Sequence, residues 1–158
     1  MLRGFYIAIT VLWLIFIIYS AFMIDEVHSA KWRYYDSYSY GGSYSNPYDY
    51  GDSYSELTFT AAVVSLFMFL ICVTVEILTL VKLKSKTMKV LSIIGLSLTG
   101  IMLFIDGVMM TSPGGASFDE AGPVFVIFGI VQLAFSIVGI IHAFKFEGRA
   151  KQTLIDGF

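Results

Sequence analysis

The chain has 158 residues, 57% of them hydrophobic and 14% charged, against about 45–50% and about 25% in soluble domains. A mean hydropathy of +0.77, with the apolar residues gathered into four long runs, excludes an ordinary soluble domain and points to an all-α, integral membrane four-helix bundle. The net charge of −2 matters less than its placement, and the expected partners are the lipid bilayer and a protein or second copy of the chain, with no nucleic acid.

Four windows, residues 5–24, 57–81, 90–110 and 123–144, each reach the roughly 20 residues that cross a hydrocarbon core of about 30 Å. The loops and tails between them are too short for a further domain, so residues 1–158 read as one membrane domain. The first window follows Arg3 and is longer than the roughly 7–15 apolar residues of a signal peptide. It reads as a retained helix. After it, His28 stands near Asp25 and Glu26, a grouping that reads as a solvated helix end rather than a metal site.

Residues 34–55 contain only Tyr, Ser, Gly, Asp, Asn and Pro. Eight are tyrosines: Tyr34, Tyr35, Tyr38, Tyr40, Tyr44, Tyr48, Tyr50 and Tyr54. With no aliphatic side chain the segment cannot build its own core, so a loosely ordered outer loop is expected. Tyrosine offers an apolar face with a polar tip, and these eight are the candidate contacts to a partner. A spacer along the membrane interface, where tyrosine is favoured, is the simpler reading because it needs no partner.

The second window carries Ser65, Cys72, Glu76 and Thr79 on one helical stripe. Between it and the third window lie Lys82, Lys84, Lys86 and Lys89, four of the ten basic residues. A turn this short joins antiparallel helices. Arg3, these lysines, Lys145, Arg149 and Lys151 fall on one side, so the positive-inside rule puts both termini and the turn in the cytoplasm. A plasma membrane, with a bacterial inner membrane favoured, is the expected location. Ser92, Gly95, Thr99 and Asp106 form the stripe of the third window. Gly129, Gln132, Ser136, Gly139 and Ala143 form that of the fourth, with His142 near it. Small and polar residues let helices approach and keep polar groups out of lipid, so all three stripes should face inward.

Cys72 is the sole cysteine and lies in an apolar run, which leaves no loop disulfide. This argues against four-span proteins with cross-linked outer loops and against four-helix thiol oxidoreductases. No nucleophile–base set, metal cluster or phosphate-binding glycine loop is present, so neither an enzyme nor a cofactor is expected.

Glu76 and Asp106 remain, each costing about 2.5–3.5 kcal/mol in a membrane on insertion scales. Glu76 lies six residues before Lys82 and Asp106 sixteen after Val90, so they differ in depth by about 15 Å at 1.5 Å per residue. They should not meet. By depth, His142 or Lys89 suits Glu76, while Tyr19, Ser20, Lys31 or Arg33 suits Asp106. Two readings follow. In the first, both acids are polar clamps in a non-catalytic scaffold or accessory subunit whose outer tyrosines contact a partner. In the second, Glu76 and Asp106 serve a proton- or cation-conducting bundle, with Gln132 or Thr99 between them.

Overall fold

The computed structural model describes residues 2–39, 47–83, 86–111 and 118–155. They form four helices: α1 (Leu2–Ser39), α2 (Pro47–Lys82), α3 (Lys86–Thr111) and α4 (Phe118–Ile155). All four are long and apolar enough to cross a membrane. The chain runs up, down, up and down. One end, the base, gathers Tyr6, Leu83, Met88 and Ala143 into a small cluster beside the α2–α3 turn. The other end is the crown.

Each helix buries a stripe with alternating three- and four-residue steps. On α1 the stripe is Tyr6, Ile9, Trp13, Phe16, Ser20, Met23 and Val27. On α2 it includes Ser65, Phe69, Cys72, Glu76 and Thr79. This 3.5-residue period is that of helices packed along a shared seam. Large apolar side chains also cover the outside, among them Ile18, Phe22, Phe67, Phe104 and Ile127. A surface of this kind suits hydrocarbon rather than water.

Contact between helices is uneven. Helix α1 packs most extensively on α4 and next on α2, whereas α3 and α4 touch least among neighbouring pairs. The α1–α4 seam is close because α4 supplies small residues along it. A Cβ on Gly139 would strike the Tyr6 ring, one on Gly122 would strike Ile24, and one on Gly129 would lie 2.9 Å from Ile17. In the same seam the Thr10 and Ser136 hydroxyls stand 2.9 Å apart, the Thr10 hydrogen also having the Tyr6 carbonyl in reach at 2.7 Å. Gly122, Gly129 and Ser136 stand seven residues apart and meet Ile24, Ile17 and Thr10, also seven apart. That is the register of an antiparallel pair.

The helices outrun the apolar windows. Helix α1 continues fifteen residues past Ile24, and α2 begins ten before Leu57. The expected outer loop is therefore helical over 34–39 and 47–55, while 40–46, with Tyr40 and Tyr44, lies outside the described residues. The physical reason is that no Gly or Pro interrupts residues 5–40, and Pro47 suits the first turn of a helix. Helix α4 starts five residues before Pro123, which gives up the bond its N–H would make to the Asp119 carbonyl. It also runs on past its apolar window as helix to Ile155.

Candidate functional site

The bundle interior holds two polar centres separated by an aromatic layer. The basal centre begins with Glu76 on α2, which is 7% exposed. Thr99 on α3 reaches it with its hydroxyl, 3.0 Å from Oε2 and 3.2 Å from Oε1. Gln132 on α4 donates from Nε2 to Thr99 Oγ1 at 2.7 Å and to the Gly95 carbonyl. Its contact with Glu76 Oε1 is longer, at 3.4 Å. The absence of a side chain at Gly95 admits this amide, because a Cβ there would stand 2.9 Å from Gln132 Oε1. The Trp13 indole closes the centre from α1, its buried N–H turned toward the Glu76 carboxyl group.

Thr99 has one hydroxyl hydrogen and three acceptors in reach: two carboxylate oxygens and, at 3.2 Å, the Gly95 carbonyl. Glu76 therefore takes one shared hydroxyl hydrogen, one long amide contact and the approach of the Trp13 indole N–H. A carboxylate has about four acceptor positions. Among the described residues no cation reaches it. Beside Glu76 lies a cavity of about 30 Å³ lined by all four helices, including Tyr6, Thr79, Ser92 and Phe135.

The crown-side centre is smaller. Ser65 on α2 lies 2.7 Å from Asp106 Oδ1, and Asp106 is fully buried. Among the described residues its Oδ2 and the buried Ser20 Oγ have no hydrogen-bond partner. Tyr19 donates to the Ala61 carbonyl at 3.2 Å instead of to the acid.

Between the centres, Trp13, Phe16, Phe69 and Phe125 fill the section. Phe16 and Phe69 stand 4.7 Å apart between ring centroids, Phe69 and Phe125 5.4 Å, and Trp13 and Phe16 5.6 Å. These are edge and tilted arrangements that aromatic rings favour. On α2 the order is Ser65, Phe69, Cys72, Glu76, and on α3 it is Asp106, Met102, Thr99. The layer therefore cuts across each helix between its two polar residues.

At the crown, Lys31 bridges α1 to the first turn of α4, 3.1 Å from Asp119 and 3.0 Å from Glu120. Acidic residues also suit that helix N-terminus. Lys31 lies two turns beyond the apolar run of α1. Its ammonium is held charged above the ordinary lysine range, chiefly by the bond with Glu120, with Asp119 adding to it against a desolvation cost. His28 accepts from Trp32 Nε1 at 2.8 Å and turns Nδ1 toward Asp119 at 3.7 Å.

The partners expected from depth alone are thus replaced by others. Glu76 is bonded from Thr99 and Gln132, not from His142, which is half-buried, or Lys89, which is exposed. Asp106 is bonded from Ser65, and Lys31 goes to the α4 acids. Thr99 and Gln132 belong to the Glu76 centre rather than to the space between the acids. His28 joins Asp119 instead of Asp25 and Glu26. Among the described residues no three His, Cys, Asp or Glu side chains converge. Of the candidate partner-binding tyrosines, Tyr34 and Tyr35 meet edge to face at 5.8 Å on α1, Tyr35 being exposed. Tyr54 packs against the core from α2. Tyr38, Tyr48 and Tyr50 lie in helices, and their side chains fall outside the described residues.

Comparison with known protein families, with curated proteins and with solved structures finds no match.

Proposed function

We propose that this chain is a small non-catalytic integral membrane protein, a scaffold or accessory subunit, with its base in the cytoplasm and its crown turned outward to a protein partner. A plasma membrane, in particular a bacterial inner membrane, is the setting we favour. The basic residues 82, 86, 89 and 145 all belong to the basal end, which is the distribution the positive-inside rule expects of a cytoplasmic face.

The observation that carries this reading is the aromatic layer. A conducting bundle needs a chain of polar groups or water between its two carboxylates. Here four packed aromatic side chains fill that interval, and each acid is tied to a neutral group on a neighbouring helix. Such bonds hold helices in register without moving charge. The partner surface is the helical extension of the crown, where Trp32 is 58% and Tyr35 is 55% exposed.

Reconstitution into proteoliposomes tests the central point. The wild-type protein should give no proton or alkali-cation flux above empty vesicles. Purification from native membranes in mild detergent should recover it with a partner protein, and changing Trp32 and Tyr35 to Ser should release that partner from a folded bundle. Robust wild-type flux abolished by Glu76→Gln would instead establish the conducting alternative.

A further inference from the structure

The basal cavity is an asymmetric place to leave empty space. Its walls are mainly apolar, from Ile9, Met88, Leu91 and Phe135, yet Glu76 borders it. Among the described residues Glu76 meets only neutral donors, the Thr99 hydroxyl, the Gln132 amide and the Trp13 indole, and no cation. A buried anion with no cation nearby is costly. A second polar group faces the same space: Tyr6 lines the cavity, is 4% exposed, and turns its hydroxyl toward Ser92, whose side chain also lines it. Ser136, which donates to the Leu133 carbonyl and stands 2.9 Å from Thr10 Oγ1, lines the cavity with its hydroxyl oxygen as an acceptor. Oxygen acceptors thus surround the space on a mostly hydrocarbon wall.

Access is one-sided. Of the lining residues, Leu91, Ser92 and Phe135 keep partial exposure while the others are buried. All three lie on α3 and α4, the neighbouring pair in least contact. The mouth therefore opens between those helices near the base, and the aromatic layer closes the opposite side. A ligand would enter and leave by the same route.

We propose that this cavity binds a small primary alkylammonium ion, with its N–H groups on Glu76, Tyr6 and a serine hydroxyl and its alkyl part on Ile9, Leu91 and Phe135. The cation would supply the charge that Glu76 lacks. Three N–H donors match the oxygen acceptors, and the apolar wall disfavours a bare hydrated metal ion. The cavity of about 30 Å³ has room for about two waters, hence for the two heavy atoms of methylammonium. The ammonium could be free or carried by an aminophospholipid head group, since the mouth faces the basal leaflet level. The site is independent of the scaffold reading, because a dead-end pocket requires no conduction.

Trp13 beside Glu76 provides the readout. In full-length protein carrying Trp32→Phe, in detergent at constant ionic strength, methylammonium chloride should change Trp13 fluorescence saturably. Sodium chloride and trimethylammonium chloride should not. Glu76→Gln should weaken the response at least about tenfold, as loss of a charge-assisted bond implies. Ser92→Leu, which fills the mouth without touching Glu76, should abolish it at unchanged melting temperature. In nanodiscs, competition by phosphatidylethanolamine but not phosphatidylcholine would name the lipid as the source, and its absence would name the free amine. The proposal is overturned if methylammonium gives no saturable signal, if sodium or trimethylammonium matches it, or if Ser92→Leu binds like the wild type.

Discussion

Removing the Ser65 hydroxyl is the sharpest perturbation the interior offers. Asp106 is fully buried and, among the described residues, takes its one hydrogen bond from Ser65, at 2.7 Å, while its second oxygen has no partner there. Ser65→Ala removes a single oxygen, leaves almost no cavity, and strands the whole carboxyl group. An unsatisfied buried polar group costs about 1–3 kcal/mol, so the variant should lose that much stability. Replacing both partners by apolar groups of similar shape is close to neutral. Ser65→Ala combined with Asp106→Val should therefore regain most of the loss.

Unfolding by SDS titration from mild detergent micelles, followed by Trp13 and Trp32 fluorescence, measures all four corners of this cycle. The expected coupling is at least about 1 kcal/mol in the direction of rescue, well above the few tenths by which independent sites depart from additivity. Thr74→Ala is the control, since Thr74 is exposed and bonds only the Leu70 carbonyl of its own helix. It should change stability by less than about 0.5 kcal/mol. A Ser65→Ala variant as stable as this control, or a double variant worse than the sum of the singles, would refute the clamp.

At the basal centre the same measurement should give a milder result, because Thr99 and Gln132 both keep the Gly95 carbonyl when Glu76 is changed. Glu76→Gln should be near neutral and Glu76→Leu should cost about 1 kcal/mol, the range of interhelical hydrogen bonds in membranes; a loss above about 3 kcal/mol would mean that Glu76 has partners beyond those two and the Trp13 indole. Gly139→Leu should destabilise by about 1–3 kcal/mol through overpacking on Tyr6, whereas Gly100→Leu, which meets open space, should be silent; equal effects in a thermal melt would discard the close α1–α4 seam. With Cys72 replaced by Ala, cysteines at Asp36 and Lys86, both exposed, should react with an impermeant maleimide from opposite sides of the membrane, and labelling of both from one side would overturn the orientation.

The inward stripes were legible because small and polar residues recur at helical spacing among aliphatic ones. Ser65, Cys72, Glu76 and Thr79 all share the buried face of α2. The partners of the acids were harder to read, because depth fixes only one coordinate. His142 matched Glu76 in depth but stands ten residues from Gln132, which at about 100° per residue puts it roughly 80° off the buried stripe. Ser65 was the available signal for Asp106. It lies 17 residues before Lys82, or about 25 Å deep, against about 24 Å for Asp106. The tyrosine segment was misread for another reason. Apolar periodicity measures packing, and a helix projecting past the bundle needs only backbone hydrogen bonds and freedom from breakers. The first breaker after Arg33 is Gly41-Gly42, so α1 continues well beyond its apolar run.

The placement of the polar bonds explains why a bundle in hydrocarbon would keep two acids. Apolar packing between helices competes with equally apolar lipid and is selective only where backbones approach closely. The α1–α4 pair achieves this with Gly122, Gly129 and Gly139, and the α1–α2 pair adds the Tyr19 bond to Ala61. Helix α3 has a single such point, Gly95, which admits the Gln132 side chain and not a neighbouring backbone. It is the shortest helix, its apolar segment is the least buried, and its contact with α4 is the sparsest between neighbouring helices. Yet the bonds from Thr99 to Glu76, from Gln132 to Thr99 and Gly95, and between Ser65 and Asp106 all end on α3. One acid lies on α2 and reaches across to α3, while the other lies on α3 and reaches back. The pair pins α3 at two depths on opposite sides of the aromatic layer, and two pins fix both the register and the tilt of a helix that packing alone would leave free to slide.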